Sequence, residues 1–130
     1  MKIIIETPKF GFVKRKDNGS IDYISPIPSL FNYGSVPNTE GADGDREDAI
    51  LLGRRRKFDE VIEADVQGVV KFWDKGEYDP KHILGEKPPI FTERVVLRLF
   101  FGVFSLAKKL LNFARRKKGR TAIEEISYRV

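Results

Sequence analysis

Cysteine is absent from this sequence, and histidine occurs once, at His82. Without cysteine the chain has no thiol nucleophile and no thiolate to hold zinc or an iron–sulfur cluster. One histidine alone does not complete a familiar zinc site, so we expect His82 to lie in an exposed loop. The lack of cysteine also favours a reducing compartment, and we predict a cytoplasmic location.

Long apolar runs are also absent. The amino terminus offers only three consecutive isoleucines, fewer than the apolar core of a secretory signal. Arg98 and Lys108 bound the apolar stretch near the carboxyl terminus, whereas a membrane-spanning helix needs about twenty apolar residues in succession. The sequence therefore predicts no membrane span.

Neither sign of charge is strongly in excess. The 24 lysines and arginines against 19 aspartates and glutamates give a net charge of +5, which permits an anionic partner without requiring nucleic acid. The charges are unevenly distributed, however. Acids concentrate at 40–48 and 58–65, and bases at 53–58 and 114–120.

Short strand-like segments dominate the first two thirds of the chain. Residues 2–14 predict a strand with a kink near Pro8 and Gly11, and Asn18-Gly19 predicts a hairpin turn. The returning strand is expected at 21–27, a long loop from Pro26 to Gly44, and further strands at 49–53, 61–68 and 68–73. With 130 residues and no internal repeat, this pattern predicts one domain with a small β-barrel or sandwich.

A long helix is predicted from Thr92 to Lys118, after the paired prolines of GEKPPIF. Thr92 is the expected N-cap, and Gly119 follows the expected end. Apolar residues recur at intervals of three and four, at Val96, Leu99, Phe100, Val103, Leu106, Leu110 and Phe113. Leu97, Phe101 and Phe104 widen this face. We expect the helix to cover the barrel and to leave apolar surface for a subunit contact; a basic amphipathic helix lying on a membrane is the alternative.

The acidic cluster contains five carboxylates within nine residues, at Glu40, Asp43, Asp45, Glu47 and Asp48. Carboxylates held close together raise one another's pKa unless a cation neutralises them, so such a cluster either lies in water or holds a metal ion. Oxygen-only ligands suit Mg²⁺, Mn²⁺ or Ca²⁺. A calcium-binding EF-hand is excluded, because glycine stands at the second position and Arg54 at the twelfth. A solvated loop and a metal site remain as the two interpretations.

A second polar cluster follows the predicted strand 68–73. It contains Asp74, Asp79 and Lys81. On its own it would be a polar turn, since Gly76 and Pro80 are turn residues. The two clusters together make a shared metal site the better interpretation.

The spacing of these residues resembles the soluble, Mg²⁺-dependent inorganic pyrophosphatases of the bacterial and archaeal type. Their D-x-D-x-x-D signature corresponds to Asp43, Asp45 and Asp48. An N-Y-G motif precedes it here as 32–34, and Gly68-Val69-Val70-Lys71 is followed by Asp74, Asp79 and Lys81 at the family's intervals. The opening strand ends in a glutamate, here Glu6, and the resemblance extends from residue 3 to about residue 85.

The resemblance implies an α+β fold with a mainly β core. The family fold is a five-stranded OB-like barrel with helices packed outside, which places barrel and active-site loops in 1–85 and the helix in 92–118 of a single domain 1–130. It further implies hydrolysis of pyrophosphate, several Mg²⁺ ions with Mn²⁺ as a substitute, and a homo-oligomer.

The resemblance also implies a role for each matching residue. Asp43, Asp48, Asp74 and Asp79 would be the metal ligands. Asp45 would be the general base, Tyr33 would form a hydrogen bond near the attacking water, and Lys81 would neutralise phosphate oxygens. Glu6 would line the entrance of the active site. Lys9 would lie on the same face of the strand as a substrate-binding lysine of the family.

The phosphate-binding half of the family site departs from the pattern more than the metal half. An expected arginine is replaced near Ser25, and the family's tyrosine-lysine pair falls at Phe104 and Ser105. Lys14 is an alternative to Lys9, and Arg54, Arg55 or Arg56 could replace lost contacts. The chain is therefore predicted to be a pyrophosphatase; the alternatives are a metal-binding relative without catalysis and an OB-type binder of single-stranded nucleic acid.

Overall fold

The computed structural model describes residues 1–15, 20–24 and 29–129. The predicted Asn18-Gly19 turn and the position of Ser25 lie outside these residues. Within the described ranges the chain forms ten strands and one helix. The strands are β1 Lys2–Thr7, β2 Val13–Arg15, β3 Ile21–Ile24, β4 Asn32–Ser35, β5 Asp48–Leu51, β6 Val61–Glu63, β7 Asp65–Asp74, β8 Glu77–Tyr78, β9 Lys81–Gly85 and β10 Ala122–Tyr128; the helix is α1 Phe91–Ala114.

Eight of these strands form one mixed sheet, in the order β10-β7-β9-β5-β4-β1-β6 with β8 beside β7, and β2 pairs with β3 separately. The predicted α+β class, with a β-rich body and a carboxyl-terminal helix, is confirmed. The number of strands in the sheet differs from the five expected, because β4 and β9 formed in segments that were predicted as loops and β10 followed the helix without being predicted.

Alternation along β5 creates two apolar cores. Ile50, with Leu52 after it, faces a core that includes Phe72, Leu97 and Phe101, whereas Ala49 and Leu51 face the opposite core around Ile3 and Ile5. Successive side chains of a strand point to opposite faces, so one buried strand serves both cores. The sheet is therefore covered on one face by α1.

Gly34 allows β1 and β4 to pair closely. A Cβ atom at this position would press on the backbone carbonyl of Ile4 in the neighbouring strand, and Ile5 is paired with Gly34. This close approach explains why glycine follows Tyr33 in a fully buried strand.

The helix begins one residue earlier and ends four residues earlier than predicted. Ile90, not Thr92, is the N-cap, and its backbone N–H donates to Glu93 Oε1 at 3.0 Å. At the other end Arg116 adopts φ of 54°, and the Lys117 amide donates to the Asn112 carbonyl at 2.8 Å. Together with the bond from the Arg116 amide to Phe113, this is a Schellman end, in which Arg116 rather than Gly119 takes the left-handed position.

The two apolar faces of α1 point in opposite directions. Leu97 and Phe101 are fully buried against the sheet, and Phe100 and Phe104 pack on the same core. The more regular series, which we name the outer stripe, is exposed: Val96, Leu99, Val103, Leu106, Leu110 and Phe113. The helix thus covers the sheet through Leu97, Phe101 and Phe104, which widened the predicted face, together with Phe100. In the described part of the chain, no helix combines the length and apolar character required to cross a membrane.

Candidate active site

Lys81, at the start of β9, lies between two carboxylates of the candidate site. Only 1% of this residue is exposed, and its Nζ donates to Asp48 Oδ2 at 2.6 Å and to Asp79 Oδ2 at 2.7 Å. The rings of Phe72 and Phe104 lie beneath the ammonium at 5.7 and 5.6 Å. Parallel pairing of β5 with β9 aligns Asp48 with Lys81, so sheet register places this contact.

Tyr33 adds a second hydrogen bond to the same carboxylate. The residue is buried in β4, and its hydroxyl donates to Asp48 Oδ2 at 3.1 Å. Asp48 thus receives a phenol and an ammonium on one oxygen. These two donors fix the orientation of the carboxylate.

Asp79 connects this cluster to a cleft at the ends of β7 and β8. The described residues that line this cleft are Ala42, Asp43, Asp74, Lys75, Glu77, Tyr78 and Asp79. It therefore brings together Asp43 from the acidic loop and Asp74 and Asp79 from the second cluster. Asp48 does not line the cleft among the described residues, and it is linked to Asp79 through Lys81.

Burial raises the pKa of Asp79 above its ordinary value. The ammonium of Lys81 lowers the pKa, whereas the carboxylates of Asp48 and Asp43 raise it. Desolvation is the largest of these effects, and the net direction is upward. Burial therefore disfavours the ionised form of Asp79, and a further cation in the cleft would favour it.

The helix contributes two side chains to this site that sequence reasoning missed. Asn112 Nδ2 donates to Asp74 Oδ1 at 2.7 Å and to Thr121 Oγ1 at 2.9 Å. Lys108 Nζ lies 3.7 Å from Asp74 Oδ2. Phe104, Lys108 and Asn112 recur at intervals of four, so they share one helical face with Leu97 and Phe101. The spacing of four could have placed Lys108 and Asn112 at the site. It does so only if the face that they share is known to pack on the sheet.

Hydrogen bonds within the acidic loop, residues 40–48, hold its conformation. Asp43 Oδ1 accepts a hydrogen bond from the Asp45 amide at 3.0 Å, and the Gly41 amide donates to the Asp45 carbonyl at 2.7 Å. Gly44 adopts φ of 87°, a conformation that glycine takes without strain. Asp43 and Asp45 are both exposed, and the described residues that line the cleft include Asp43 but not Asp45.

His82 lies in β9 rather than in an exposed loop. It is partly buried, and its Nε2 lies 2.8 Å from Glu47 Oε2. Parallel pairing of β5 with β9 places Ala49 opposite His82. The prediction of an exposed loop histidine is therefore wrong, because residues 81–85 form a strand of the sheet.

Glu6 lies in β1, and Lys9 follows that strand. The Lys9 ammonium donates to the Gly53 carbonyl at 3.2 Å, and Glu6 is buried in β1. Arg56 lies 3.5 Å from Glu60. In the contacts of the described residues, Lys9 and Arg56 thus belong to the 53–60 loop rather than to the aspartate cleft.

Asn32 ties that loop to the chain after β1. This buried residue accepts at Oδ1 from the backbone amides of Lys9 at 3.0 Å and Arg56 at 2.8 Å. Its Nδ2 donates to the Arg54 carbonyl at 2.7 Å. The side chain of Asn32 therefore pairs with backbone groups of two loops that would otherwise need other hydrogen-bond partners.

The donor set of the cleft fits a hard divalent cation. The side chains of Asp43, Asp74 and Asp79 present only oxygen atoms to the cleft, which are the ligands that Mg²⁺ and Mn²⁺ prefer. Among the described residues no three carboxylate or histidine side chains already stand together as a formed metal shell. Ligand side chains would therefore have to draw together around an ion.

Comparison with known proteins relates this chain to the inorganic pyrophosphatases. A model of the inorganic pyrophosphatase family matches residues 3–87. The chain is 44% identical over 59 residues to an inorganic pyrophosphatase of Haemophilus influenzae, an alignment that covers 42% of this chain and 34% of that protein. An inorganic pyrophosphatase of Neisseria meningitidis is 42% identical over 59 residues, with 42% and 33% covered. The matched part spans about a third of the length of these curated relatives.

Solved structures match over nearly the whole chain. The inorganic pyrophosphatase of Neisseria gonorrhoeae has a TM-score of 0.77 and 24% identity, covering 98% of this chain and 82% of that one. The enzyme of Thermus thermophilus has a TM-score of 0.78 and 21% identity, covering 99% and 82%. At these identities the two structures establish a common fold that includes α1.

Proposed function

Since the chain belongs to the inorganic pyrophosphatase family, we propose that it hydrolyses inorganic pyrophosphate to two phosphates with the help of divalent metal ions. The observation that carries this proposal is the cleft in which Asp43, Asp74 and Asp79 meet, with Lys81 joining Asp79 to Asp48. Mg²⁺ is the preferred ion in this proposal, and Mn²⁺ is a substitute.

In the proposed site, Asp43, Asp48, Asp74 and Asp79 would hold the metal ions. When bound, these ions supply positive charge that balances pyrophosphate and makes water more acidic. Tyr33 orients Asp48 through the hydrogen bond at 3.1 Å. Asn112 holds Asp74 from the helix side, as partners of metal ligands commonly do.

The remaining roles concern the proton and the substrate. Asp45 would take the proton from the attacking water, which requires its exposed loop to bend toward the cleft when substrate binds. Lys81 would balance charge on phosphate oxygens once metal ions neutralise its two aspartates. Lys108 Nζ lies 3.7 Å from Asp74 Oδ2, so we assign to it part of the positive charge toward phosphate that Lys9 and the 54–56 segment were expected to provide.

The test is release of phosphate from pyrophosphate in Mg²⁺, with Asp45→Asn as the variant. Removal of one positioned general base costs about a hundredfold or more in rate. Asp65→Asn is the matched control, because Asp65 is an exposed carboxylate at the opposite end of β7 from Asp74. A wild-type rate no higher than that of Asp45→Asn would refute the proposal.

A metal-binding relative without catalysis is the second candidate. It is favoured by Phe104, which packs against Phe72 and Phe101 where the family carries a tyrosine and therefore offers no hydroxyl to a substrate. Calorimetric binding of Mn²⁺ without turnover of any phosphoanhydride would select it. A nucleic-acid binder is not favoured, since Arg56, in the basic segment that suggested it, is paired with Glu60.

We further propose a homo-oligomer. The exposed outer stripe supplies apolar surface for it. The cytoplasmic location inferred from the absence of cysteine stays a prediction.

A further inference from the structure

Thr121, the last residue of the connection between α1 and β10, carries two hydrogen bonds on one oxygen. This residue is buried. Its Oγ1 accepts from the Lys75 amide at 3.0 Å and from Asn112 Nδ2 at 2.9 Å. Lys75 directly follows Asp74 in the chain, and Asn112 also donates to Asp74 Oδ1 at 2.7 Å. Thr121 is therefore linked to Asp74 by two routes, one through the backbone and one through Asn112.

The partners of Asn112 fix the orientation of its side-chain amide. The hydrogens of Nδ2 go to two different acceptors, a carboxylate and a hydroxyl, so both donors are used. An amide turned the other way would bring its oxygen against the ionised carboxylate of Asp74, which has no hydrogen to donate. The backbone carbonyl of Asn112 accepts from the Lys117 amide at 2.8 Å, so the end of α1 is closed at the same residue. Asn112 therefore holds Asp74 in one orientation.

Gly119 lets the connection lie directly against the β7–β8 turn. It adopts φ of 104°, and a Cβ atom there would come within 2.6 Å of the Gly76 nitrogen and of the Lys75 carbonyl oxygen. The Gly76 amide donates to the Arg120 carbonyl at 2.9 Å. Any other residue at position 119 would push the connection away from the turn. The turn is thus fixed by the close packing of two backbones.

The β7–β8 turn needs this support because it carries two carboxylates. Asp74 and Glu77 are paired across the two strands, and both line the cleft. Like charges at directly opposite positions of neighbouring strands repel each other. Glu77 Oε2 is shielded from solvent and has no hydrogen-bond partner among the described residues. A cation in the cleft would remove the repulsion, but its binding is favoured only if the carboxylates are held in place before it arrives.

We propose that Asn112, Gly119 and Thr121 are positioning residues for Asp74, and that they set the affinity of the cleft for a divalent cation. None of the three is among the described residues that line the cleft, so each acts through Asp74 or through the turn that follows it. Replacing a side chain that orients a metal ligand changes metal affinity about 10–100-fold. All three lie beyond residues 3–87, which the family model matches. The inference rests on the metal site of the proposed function, but its experiment measures ion binding rather than hydrolysis.

The experiment is a calorimetric titration of the full chain with Mn²⁺ for the wild type, Asn112→Ala, Thr121→Val and Thr121→Ser. Valine has the shape of threonine but leaves two donors without an acceptor, whereas serine keeps the hydroxyl. We expect the dissociation constant for Mn²⁺ to rise at least about tenfold in Asn112→Ala and Thr121→Val, and to stay near the wild-type value in Thr121→Ser. Circular dichroism verifies that the variants are folded during the titration. A purely structural role would lower the unfolding temperature and leave the affinity of the folded protein unchanged.

Gly119→Ala tests the same inference without removing a polar group. The added methyl group should push the connection away from the turn and weaken Mn²⁺ binding about tenfold. Gly53→Ala is the matched control, because Gly53 also adopts φ of 104° but has no described atom within 4 Å of its Cβ position. This control should carry the same backbone strain and bind Mn²⁺ like the wild type.

Unchanged affinity for Mn²⁺ in any one of Asn112→Ala, Thr121→Val and Gly119→Ala would overturn the inference and leave the proposed hydrolysis standing. Equal weakening in Thr121→Val and Thr121→Ser, or in Gly119→Ala and Gly53→Ala, would also overturn it, because the effect would then come from lost stability. A wild type that binds no Mn²⁺ would overturn both proposals. Weakened binding in the three variants of a chain that does not turn over pyrophosphate would support the inference and refute only the hydrolysis.

Discussion

Lys81 and Asp79 form an ion pair of 2.7 Å although only Pro80 separates them in sequence. The short spacing is possible because the Asp79 amide is tied to the Phe72 carbonyl at 2.8 Å, while Lys81 already belongs to β9. The lysine is almost fully buried and the aspartate is 23% exposed on its side chain. Loss of a partner destabilises a buried charge far more than it destabilises a charge on the surface.

Replacement of Lys81 by methionine should destabilise the fold. The change leaves Asp48 and Asp79 facing each other without the intervening ammonium, and removal of one partner from a buried pair costs about 3 kcal/mol. Urea unfolding at pH 7 measures the effect. Lys71→Met is the matched control, since Lys71 forms only an exposed pair with Glu125 at 3.5 Å and should change stability by less than about 1 kcal/mol. Equal stability of the two variants would contradict this account of Lys81.

The raised pKa of Asp79 predicts a pH dependence of stability. Because the folded state holds this proton more tightly than the unfolded chain, the contribution of Asp79 is favourable at low pH and is lost as the pH rises through the raised pKa. The unfolding free energy of the wild type should therefore fall relative to that of Asp79→Asn from about pH 4 to pH 7. Urea unfolding across this range, without added metal, gives both curves, and parallel curves would be inconsistent with the prediction.

Neighbouring lysines on α1 should differ in their effect on the substrate. Lys108 lies near Asp74 and over the Phe104 ring, whereas Lys109 is exposed. Lys108→Ala should raise KM for pyrophosphate about tenfold through loss of a charged contact. Steady-state kinetics of Lys108→Ala and Lys109→Ala test this, and the same KM in both would remove Lys108 from the site.

Arg116 offers a prediction about stability outside the site. Its φ of 54° is unfavourable for a residue with a Cβ atom, and glycine adopts it freely. Arg116→Gly should stabilise the protein by about 0.5–1 kcal/mol. Thermal unfolding should show a rise of a few degrees, and Arg115→Gly, at a position with φ of −86°, should not show it.

The β-rich class was predictable from sequence because strand patterns depend on local spacing. The face of α1 that packs on the sheet was not predictable. Phe101 and Phe113 are equally apolar, yet one is fully buried and the other is 84% exposed. Only the sheet decides which face of α1 is covered, and a single sequence does not distinguish two apolar faces of one helix.

The missed strands have a related cause. The β4 segment contains asparagine, glycine and serine, residues that favour loops, and it becomes a strand because β1 and β5 pair with it on both sides. The strand β10 likewise forms because it pairs with β7. For such segments long-range pairing outweighs local preference. The site residues Lys108 and Asn112 were missed for the same reason, since their role follows from the direction of the helix.

The two amides that share the Oδ1 atom of Asn32 connect segments 47 residues apart in sequence, at Lys9 and Arg56. Both loops are held by the same acceptor atom. If one loop moves away, the Asn32 side chain loses a donor that fixes its position, and the bond to the other loop is weakened. The two loops should therefore open as one cooperative unit, and the amide protons of Lys9 and Arg56 should exchange with solvent deuterium at matched rates.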